Sequence, residues 1–284
     1  MVSVAKYHGT GNDFIVVDAT IPLPDRRAFA IEHCDREEGI SHSDTAVGAD
    51  GVLFLALEDQ YSPPRVIMTL VQPDGSVAAM CGNGARCAAA WAARKTQADE
   101  LMIDTQAGTR RAIVGDDSVQ IEMGRPVFTP DHVPLASGSP LIEEDVEGLT
   151  VTAVNTGVPH AVAFVEDVRA IDLDSVAPPI RNASVFPIGA NVTLASQSES
   201  GDGFDQRTFE RGVEGETDSC GTGAVAIAAV AQKRELIERG ESITIHPLGG
   251  DLGVTIERND ALLSGPVVHE FTTDLSAAKP RRIG

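Results

Sequence analysis

The sequence predicts an α+β protein made of two similar halves, each a curved mixed β-sheet wrapped around a central alanine-rich helix. The first observation behind this is an internal repeat. Residues 81–85 (CGNGA) return as residues 220–224 (CGTGA), and 220 − 81 = 139. Flanking features keep nearly the same offset, since the Gly-Ala pair at 48–49 returns at 189–190. Two long copies with the same order of features indicate two similar domains rather than a solenoid of short repeats.

The second observation is an apolar run after each cysteine. Residues 85–93 are apolar nearly all round apart from Arg86, and residues 224–231 are apolar all round. A helix without a polar face has to be enclosed by other elements. Small alanine side chains let strands approach such a helix from every side.

The third observation is a set of short segments around these runs with alternating or β-branched residues, which are typical of strands. These segments are residues 52–57, 66–71, 119–123, 151–155, 243–246 and 254–257. We therefore expect residues 1–127 to form one domain, completed by the C-terminal segment 270–284, and residues 128–269 to form the other. The proline-rich stretch 127–145 between them has little periodicity and is expected to be a linker.

Composition limits the classes of function. The chain of 284 residues has 42% hydrophobic and 23% charged residues, which is typical of a soluble globular protein. No apolar run is long enough to span a bilayer and the N-terminus lacks the pattern of a secretory signal, so we expect a cytoplasmic location. The 42 acidic and 22 basic residues give a net charge of −20. Such a surface would repel nucleic acids and anionic membranes, so neither is an expected partner. Adaptation to high salt explains the charge better than an acidic face for a protein partner does.

The four cysteines are Cys34, Cys81, Cys87 and Cys220. No Cys-x-x-Cys pair and no cluster with zinc spacing is present in the sequence, so we expect free thiols and no metal. Cys34 and Cys87 lie inside expected helices over 26–38 and 85–94 among apolar neighbours, which is typical of packing residues.

Cys81 and Cys220 each stand directly before Gly-x-Gly and a helix. The positive end of the helix and its unpaired N–H groups favour a thiolate there and leave donors for a carboxylate. Two such thiols facing each other across a cleft between the halves would serve as base and acid on opposite faces of one α-carbon. No lysine has a recognisable Schiff-base setting, so no cofactor is expected. The alternative is that both cysteines are small buried packing groups, and their matched position at two helix starts argues against it.

Across nearly its whole length the sequence resembles the diaminopimelate epimerase family. The motifs that carry the resemblance are HGTGNDF at 8–14, CDR at 34–36, GADG at 48–51, DGS at 74–76, MCGNGARC at 80–87, PH at 159–160, ERG at 210–212, CGTG at 220–223 and GGDL at 249–252. The resemblance implies interconversion of LL- and meso-diaminopimelate in lysine biosynthesis without a cofactor, with diaminopimelate as the small-molecule partner. A homodimer is left open.

The resemblance also implies roles for individual residues. The catalytic residues are expected to be Cys81 and Cys220 as base and acid, assisted by His160 and Glu210. The substrate-binding residues are expected to be Gly82, Asn83, Gly221 and Thr222 at the reacting carboxylate, and Asn12, Gln72, Asn191, Glu210 and Arg211 elsewhere on the substrate. Gln72 stands where the family usually has asparagine, and it either takes over that amide contact or misses it. Val158 stands where the family often has a substrate-binding asparagine, so that contact is absent or supplied elsewhere.

Each role has a structural alternative: Asn12 and Asn191 as turn caps, His160 as a buried structural histidine, and Arg211 as a partner of surface carboxylates. The whole chain has alternatives as well. One is an epimerase of proline or hydroxyproline, whose substrates would not need a distal clamp at residues 210–211. Another is a non-catalytic amino-acid-binding relative. A dithiol oxidoreductase is disfavoured by the spacing of the cysteines, although oxidation could join Cys81 to Cys220.

Overall fold

The structure, a computed structural model, describes residues 1–43, 45–258 and 260–275. Within these residues no helix is long and apolar enough to cross a membrane. In chain order the elements are β1 (Val2–Gly9), β2 (Asn12–Asp18), α1 (Arg26–His33), β3 (Gly51–Glu58), β4 (Arg65–Val71), β5 (Val77–Ala78), α2 (Gly82–Thr96), β6 (Glu100–Thr105), β7 (Gly108–Val114), β8 (Val119–Gly124), β9 (Glu144–Val146), β10 (Leu149–Asn155), β11 (Pro159–Phe164), a 3-10 turn (Val168–Ala170), α3 (Leu173–Arg181), β12 (Asn191–Gln197), β13 (Gly203–Glu210), β14 (Gly215–Thr217), α4 (Gly221–Lys233), β15 (Ser242–His246), β16 (Leu252–Glu257), β17 (Asp260–Gly265) and β18 (Val268–Leu275).

The chain divides into two compact units. The first comprises Met1–Ile121 with the described residues from Gly265 onward, and the second comprises Glu122–Ser264. The expected domains, 1–127 with 270–284 and 128–269, remain a prediction about how the chain folds. Residues 276–284 of the expected C-terminal segment lie outside the described residues.

Strands of the first unit form a mixed sheet in the order β18-β1-β2-β3-β4-β6-β7-β8, with the short β5 beside β4. The β2–β3 and β4–β6 pairs are parallel, and the other pairs are antiparallel. Each parallel pair is connected through a helix, α1 for the first and α2 for the second. Such a crossover is what parallel neighbours require.

Strands of the second unit repeat this arrangement in the order β9-β10-β11-β12-β13-β15-β16-β17, with β14 beside β13. The parallel pairs are now β11–β12 and β13–β15, connected through α3 and α4. Strand order, strand direction and helix position therefore match between the units, and the expected α+β class with a repeated architecture is confirmed.

The two alanine-rich helices are enclosed by strands of their own units. Helix α2 contacts β1, β2, β3, β4, β6 and β7, and α4 contacts β10, β11, β12, β13 and β16. Ala88 and Ala92 of α2 and Ala224 of α4 have no exposed surface. The absence of a polar face on these helices, which is visible in the sequence, is thus explained by a sheet that wraps around them.

The stretch 127–145, expected as a linker, packs onto the second unit. Val133 and Leu141 are buried in the core of that unit. The backbone of Val127 pairs with that of Asn155 through hydrogen bonds of 2.9 and 2.8 Å. Prolines interrupt the periodic pattern of this segment, but its apolar side chains still pack into the core of the second unit.

Candidate functional site

Cys81 is the N-cap residue of α2. Its backbone is extended (φ −146°, ψ 120°), and its Sγ accepts a hydrogen bond from the backbone N–H of Gly84 at 3.4 Å. The sulfur therefore takes the place of the side-chain oxygen that usually caps a helix. A Cβ at Gly84 would approach the end of the Leu53 side chain at 3.2 Å, a close contact that glycine avoids. The Cys81 side chain is partly exposed.

Cys220 occupies the same position in the second unit. It is the N-cap of α4 with an extended backbone (φ −123°, ψ 99°) and is buried. Its Sγ lies 3.4 Å from the hydroxyl oxygen of Thr222. A Cβ at Gly223 would stand 2.6 Å from Gln206 Nε2 and 3.3 Å from the Cys220 sulfur. Glycine at position 223 therefore avoids a close contact with the Cys220 sulfur.

Two asparagines meet beside the start of α2. The Nδ2 of the buried Asn83 donates to Oδ1 of Asn12 at 2.5 Å. The Nη2 of Arg86 donates to Oδ1 of Asn83 at 2.7 Å, and Asn12 in turn donates to Asp50 at 3.1 Å. The structure thus brings together Asn12, Asn83 and Cys81, three of the residues expected at the site.

Behind Asn12 lies a buried group of charged residues that the sequence reasoning did not select. Lys6 has no exposed surface, and its Nζ lies 2.8 Å from a carboxylate oxygen of Asp13. Arg36 donates to both oxygens of Asp13 at 3.1 and 2.8 Å and pairs with Asp50. Burial acts to raise the pKa of Asp13, but Arg36 and Lys6 outweigh it and hold this pKa below its usual value. Three of these residues, Asp13, Arg36 and Asp50, lie in the motifs GNDF, CDR and GADG. Their positions in these motifs are the feature of the sequence that could have identified them.

Gln72 is not joined to these residues. It is exposed just after β4, where its Oε1 accepts a hydrogen bond from the hydroxyl of Ser76 at 2.8 Å. Its backbone N–H also bonds to the carbonyl of Ser76, at 2.8 Å. The side chain therefore stabilises the turn between β4 and β5.

His160 lies at the centre of a polar network in the second unit. Its Nδ1 lies 2.9 Å from the Thr193 hydroxyl, and its Nε2 lies 3.0 Å from the Thr222 hydroxyl and 3.4 Å from Nδ2 of Asn191. The parallel pairing of β11 with β12 sets His160 beside Asn191. Burial, together with the nearby positive charge of Arg211, lowers the pKa of His160 to about 3. The imidazole is therefore neutral at ordinary pH.

The thiol of Cys220 is held in its protonated form. Burial is the main cause that raises the pKa of Cys220 well above its usual value, and the negative charge of Glu210 adds to it. Glu210 is fixed at the end of β13, where its Oε1 accepts a hydrogen bond from the Thr217 hydroxyl at 2.7 Å. At Cys220 the effect of desolvation on the pKa outweighs that of the helix start, and the expected pairing of one base with one acid stays a prediction.

Arg211 is fixed by backbone groups rather than by surface carboxylates. Its Nη1 donates to the carbonyl oxygens of Ile188 and Gly189 at 3.1 and 3.5 Å. Its backbone N–H donates to Oδ1 of Asn191 at 2.8 Å, so Asn191 joins Arg211 to His160. Arg211 has no ion pair with a described residue.

Four further residues fix the start of α4 and were missed from the sequence. The Thr156 hydroxyl donates to the Thr222 carbonyl at 2.8 Å, and Gln206 donates to the Cys220 carbonyl at 3.1 Å. Thr208 accepts from Gln206 at 2.9 Å, and its hydroxyl lies 3.3 Å from that of Thr193. Threonine in a strand is common, and only the structure distinguishes these inward-facing hydroxyls from others.

Comparisons with known proteins agree with this architecture. The sequence model of the family described as diaminopimelate epimerase matches residues 4–129 and 152–270. The diaminopimelate epimerase of Methanocella arvoryzae is 42% identical over 96% of this chain and 97% of its own. That of Methanothrix thermoacetophila is 40% identical over 93% and 92%, and that of Bacillus cereus is 35% identical over 93% of both chains. The chain belongs to the diaminopimelate epimerase family.

Solved structures show how widely the fold of this diaminopimelate epimerase family member occurs. A hydroxyproline epimerase from Agrobacterium vitis with bound trans-4-hydroxy-L-proline superposes with a TM-score of 0.65 at 17% identity, over 98% of this chain and 93% of that one. A phenazine biosynthesis protein of the PhzF family from Bacillus anthracis gives a TM-score of 0.65 at 14% identity, over 97% and 99%. At these identities the likeness concerns the fold.

The other two cysteines of this diaminopimelate epimerase family member are deeply enclosed. Burial raises the pKa of Cys34 and that of Cys87 to about 12. Both are free thiols packed among apolar groups, as expected from the sequence. Across the described residues, no group of three or more His, Cys, Asp or Glu side chains is placed to hold a metal ion.

Proposed function

We propose that the protein interconverts LL- and meso-diaminopimelate, a reaction of lysine biosynthesis, by moving one α-hydrogen between Cys81 and Cys220. Membership of the diaminopimelate epimerase family supports the substrate. The observation that carries the mechanism is that a cysteine is the N-cap residue of the central helix in each of two units of matching topology. In this proposal one sulfur acts on each face of the α-carbon.

The first turns of both helices offer donors for the reacting carboxylate. Backbone N–H groups at Gly82 and Asn83, and at Gly221 and Thr222, have no partners inside their own helices because they belong to the first turn. Such donors bind a carboxylate and stabilise the negative charge that develops on it when the α-carbon loses its proton. This accounts for carbanion stabilisation by the protein's own groups.

The proton inventory starts from a protonated Cys220. A Cys81 thiolate takes the α-hydrogen as a proton, and the electron pair of the C–H bond spreads onto the carboxylate. The Cys220 thiol then delivers its proton to the opposite face of the carbon. Cys81 ends as a thiol and Cys220 as a thiolate, and the reverse reaction exchanges these roles.

His160 and Thr222 stabilise the thiolate formed at Cys220. The Thr222 hydroxyl lies within hydrogen-bonding distance of both the sulfur and Nε2 of His160. Glu210 has the opposite effect, because its negative charge raises the pKa of Cys220 and so favours the thiol before proton transfer. The balance between these groups would set the proton affinity of the sulfur.

The remaining expected residues would bind the substrate. Asn12 and Asn191 present amides, and Arg211 keeps guanidinium N–H groups for a distal carboxylate, which suits a forked donor. Gln72 would contribute an amide only by releasing Ser76, so we assign it the smallest contribution among these residues.

Solvent-deuterium exchange tests the proposal directly. LL-diaminopimelate is incubated with the enzyme in D₂O, and the α-deuterium and the meso product are measured. Wild type is expected to give both, whereas Cys81→Ala and Cys220→Ala should each lose epimerisation by at least about a thousandfold. Cys34→Ala is the matched control, because it removes a buried thiol outside the site. L-proline and trans-4-hydroxy-L-proline are tested in parallel, and exchange of either without exchange of diaminopimelate would overturn the substrate assignment.

A further inference from the structure

Arg86 is a buried cation that neither the fold nor the proton chemistry described above explains. It lies on α2, five residues after Cys81, and has no exposed surface. Its hydrogen-bond acceptors are neutral: the Asn83 amide oxygen at 2.7 Å, the Thr10 hydroxyl at 3.0 Å and the Pro266 carbonyl at 3.2 Å. Its Nε has no partner among the described residues.

The turn between β1 and β2 leaves space for this guanidinium. A side chain at Gly9 would meet Arg86 Nη2 at 3.3 Å, and the next residue, Thr10, supplies a hydroxyl acceptor. No carboxylate of the described residues forms an ion pair with Arg86. Burial lowers the pKa of its guanidinium, and the nearby sulfurs of Cys87 and Cys81 act in the opposite direction. A buried charge without a counter-ion is costly to keep, so its retention points to a use.

The same position in the second unit carries no charge. The 139-residue offset that relates Cys81 to Cys220 places Val225 at the position of Arg86, and Val225 is fully buried. The opposite difference occurs at the end of β4 and of β13, the second strand before each cysteine. Glu210 ends β13 beside Cys220, whereas the residue 139 positions earlier is Val71, which ends β4. The unit of Cys81 thus has a buried cation where the unit of Cys220 has a valine, and the unit of Cys220 has an anion where the unit of Cys81 has a valine.

We infer that Arg86 is a positioning residue whose buried charge holds Cys81 as the thiolate of the resting enzyme, while Glu210 holds Cys220 as the thiol. This deepens the proposed function and rests on it. It explains how two helix starts of the same design hold different protonation states before substrate binds. In a symmetric pair the single proton would be shared between two equivalent sulfurs. Only a fraction of the enzyme molecules would then have the thiolate and the thiol in the arrangement that a given direction of the reaction needs.

Other charged groups near α2 do not remove this difference. Cys87 is the second sulfur beside Arg86, but its complete burial raises its pKa to about 12 and it stays protonated. Asp13 on β2 acts on Cys87, yet its charge is already balanced by Lys6 and Arg36. The remaining positive charge of Arg86 therefore acts on Cys81. Burial raises the pKa of Tyr7 on β1 and the charge of Arg94 acts against it, whereas neither group acts on the pKa of Arg86.

Alkylation of the unliganded enzyme measures this effect without substrate. Iodoacetamide modifies the thiolate, so the rate at Cys81 and at Cys220 is followed between pH 5 and 10 by mass spectrometry of the peptides. In wild type we expect the Cys81 midpoint to lie below the value of about 8.5 for a free thiol and below the Cys220 midpoint. A wild-type Cys81 midpoint at or above that of a free thiol overturns the proposal even if no variant folds.

Charge is then separated from structure with three substitutions. Arg86→Gln should raise the Cys81 midpoint by about one unit, which is a tenfold slower alkylation below the midpoint, and leave that of Cys220 in place. Arg86→Lys retains the charge and should keep the wild-type midpoint. Arg94→Gln is the matched control on an exposed part of the same helix and should also keep it. An unchanged midpoint in folded Arg86→Gln, or an equal shift in Arg86→Lys, would mean a structural role only.

The two proposals fail in different ways. Loss of deuterium exchange from LL-diaminopimelate in wild type refutes the epimerase proposal and leaves the thiol titration intact. Normal exchange together with an unshifted Cys81 midpoint refutes the role of Arg86 alone.

Discussion

The Nε2 atom of His160 lies 3.0 Å from the hydroxyl oxygen of Thr222, and the same oxygen lies 3.4 Å from the sulfur of Cys220. One hydroxyl thus connects a neutral imidazole to a thiol. Because the hydroxyl both donates and accepts, it can pass a hydrogen bond toward the sulfur when the thiolate forms.

Thr222→Val removes this connection while keeping the shape of the side chain. We expect kcat to fall about tenfold, because a hydrogen bond to a group that is charged or becomes charged in the reaction contributes about 1.5 kcal/mol. KM should change little because the backbone N–H of residue 222 is retained. Thr222→Ser restores the hydroxyl and is expected to restore kcat. Steady-state epimerisation kinetics measure both, and full activity of the valine variant would show that the hydroxyl is dispensable.

The neutral state of His160 makes stability depend on pH. Its pKa is lowered to about 3 in the folded protein, whereas an unfolded histidine titrates near 6.5. The unfolded chain therefore binds a proton first as the pH falls, and stability is lost from about pH 6.5 downward. Between about pH 7.5 and 5 the expected loss from this residue is about 2 kcal/mol.

His160→Gln should lack this part of the acid sensitivity. Urea unfolding at both pH values measures the difference in the free energy of unfolding for each protein. His132→Gln, at an exposed ring, is the control and should follow wild type. An identical pH dependence in wild type and His160→Gln would mean that the folded imidazole takes up its proton as readily as the unfolded one.

Much of the fold was predictable because apolar patterning repeats twice at one offset. Helices without a polar face required a surrounding sheet, and α2 and α4 have such sheets. In the stretch 127–145 the prolines interrupt the pattern, so the sequence did not reveal that Val133 and Leu141 reach the core of the second unit.

At the candidate site, the motifs predicted the location of each sulfur at a helix start. They did not predict its environment. Desolvation depends on what packs around an atom from distant segments, so the raised pKa of Cys220 and the lowered pKa of His160 follow only from the folded structure. In the sequence, Arg86 only interrupts an apolar run, and two of its three neutral acceptors come from segments far away in the chain.

Lys6→Met tests the buried charges that support Asn12. The Lys6 ammonium has no exposed surface and lies 2.8 Å from the nearly buried carboxylate of Asp13. Loss of one partner from a buried pair costs about 3 to 5 kcal/mol, and the lower figure is expected because Arg36 still pairs with Asp13. Lys95→Met makes the same change of charge at the exposed pair with Asp18 and should cost less than about 1 kcal/mol. Urea unfolding at fixed salt compares them, and equal losses would contradict the burial argument.

Gly223→Ala tests whether the sulfur of Cys220 has space to spare. The new Cβ would stand 2.6 Å from Gln206 Nε2, 3.0 Å from the Thr208 hydroxyl and 3.3 Å from the sulfur, so at least one of these groups has to move. Overpacking of this kind costs about 1 to 3 kcal/mol of stability. A displacement of the reacting group by about 1 Å lowers kcat about a hundredfold. Gly215→Ala is the matched control, because its Cβ meets no atom within 4 Å. Unfolding and deuterium exchange are measured on both variants. Wild-type values for Gly223→Ala would show that the start of α4 relaxes at no cost and that the position of this sulfur is not fixed by its neighbours.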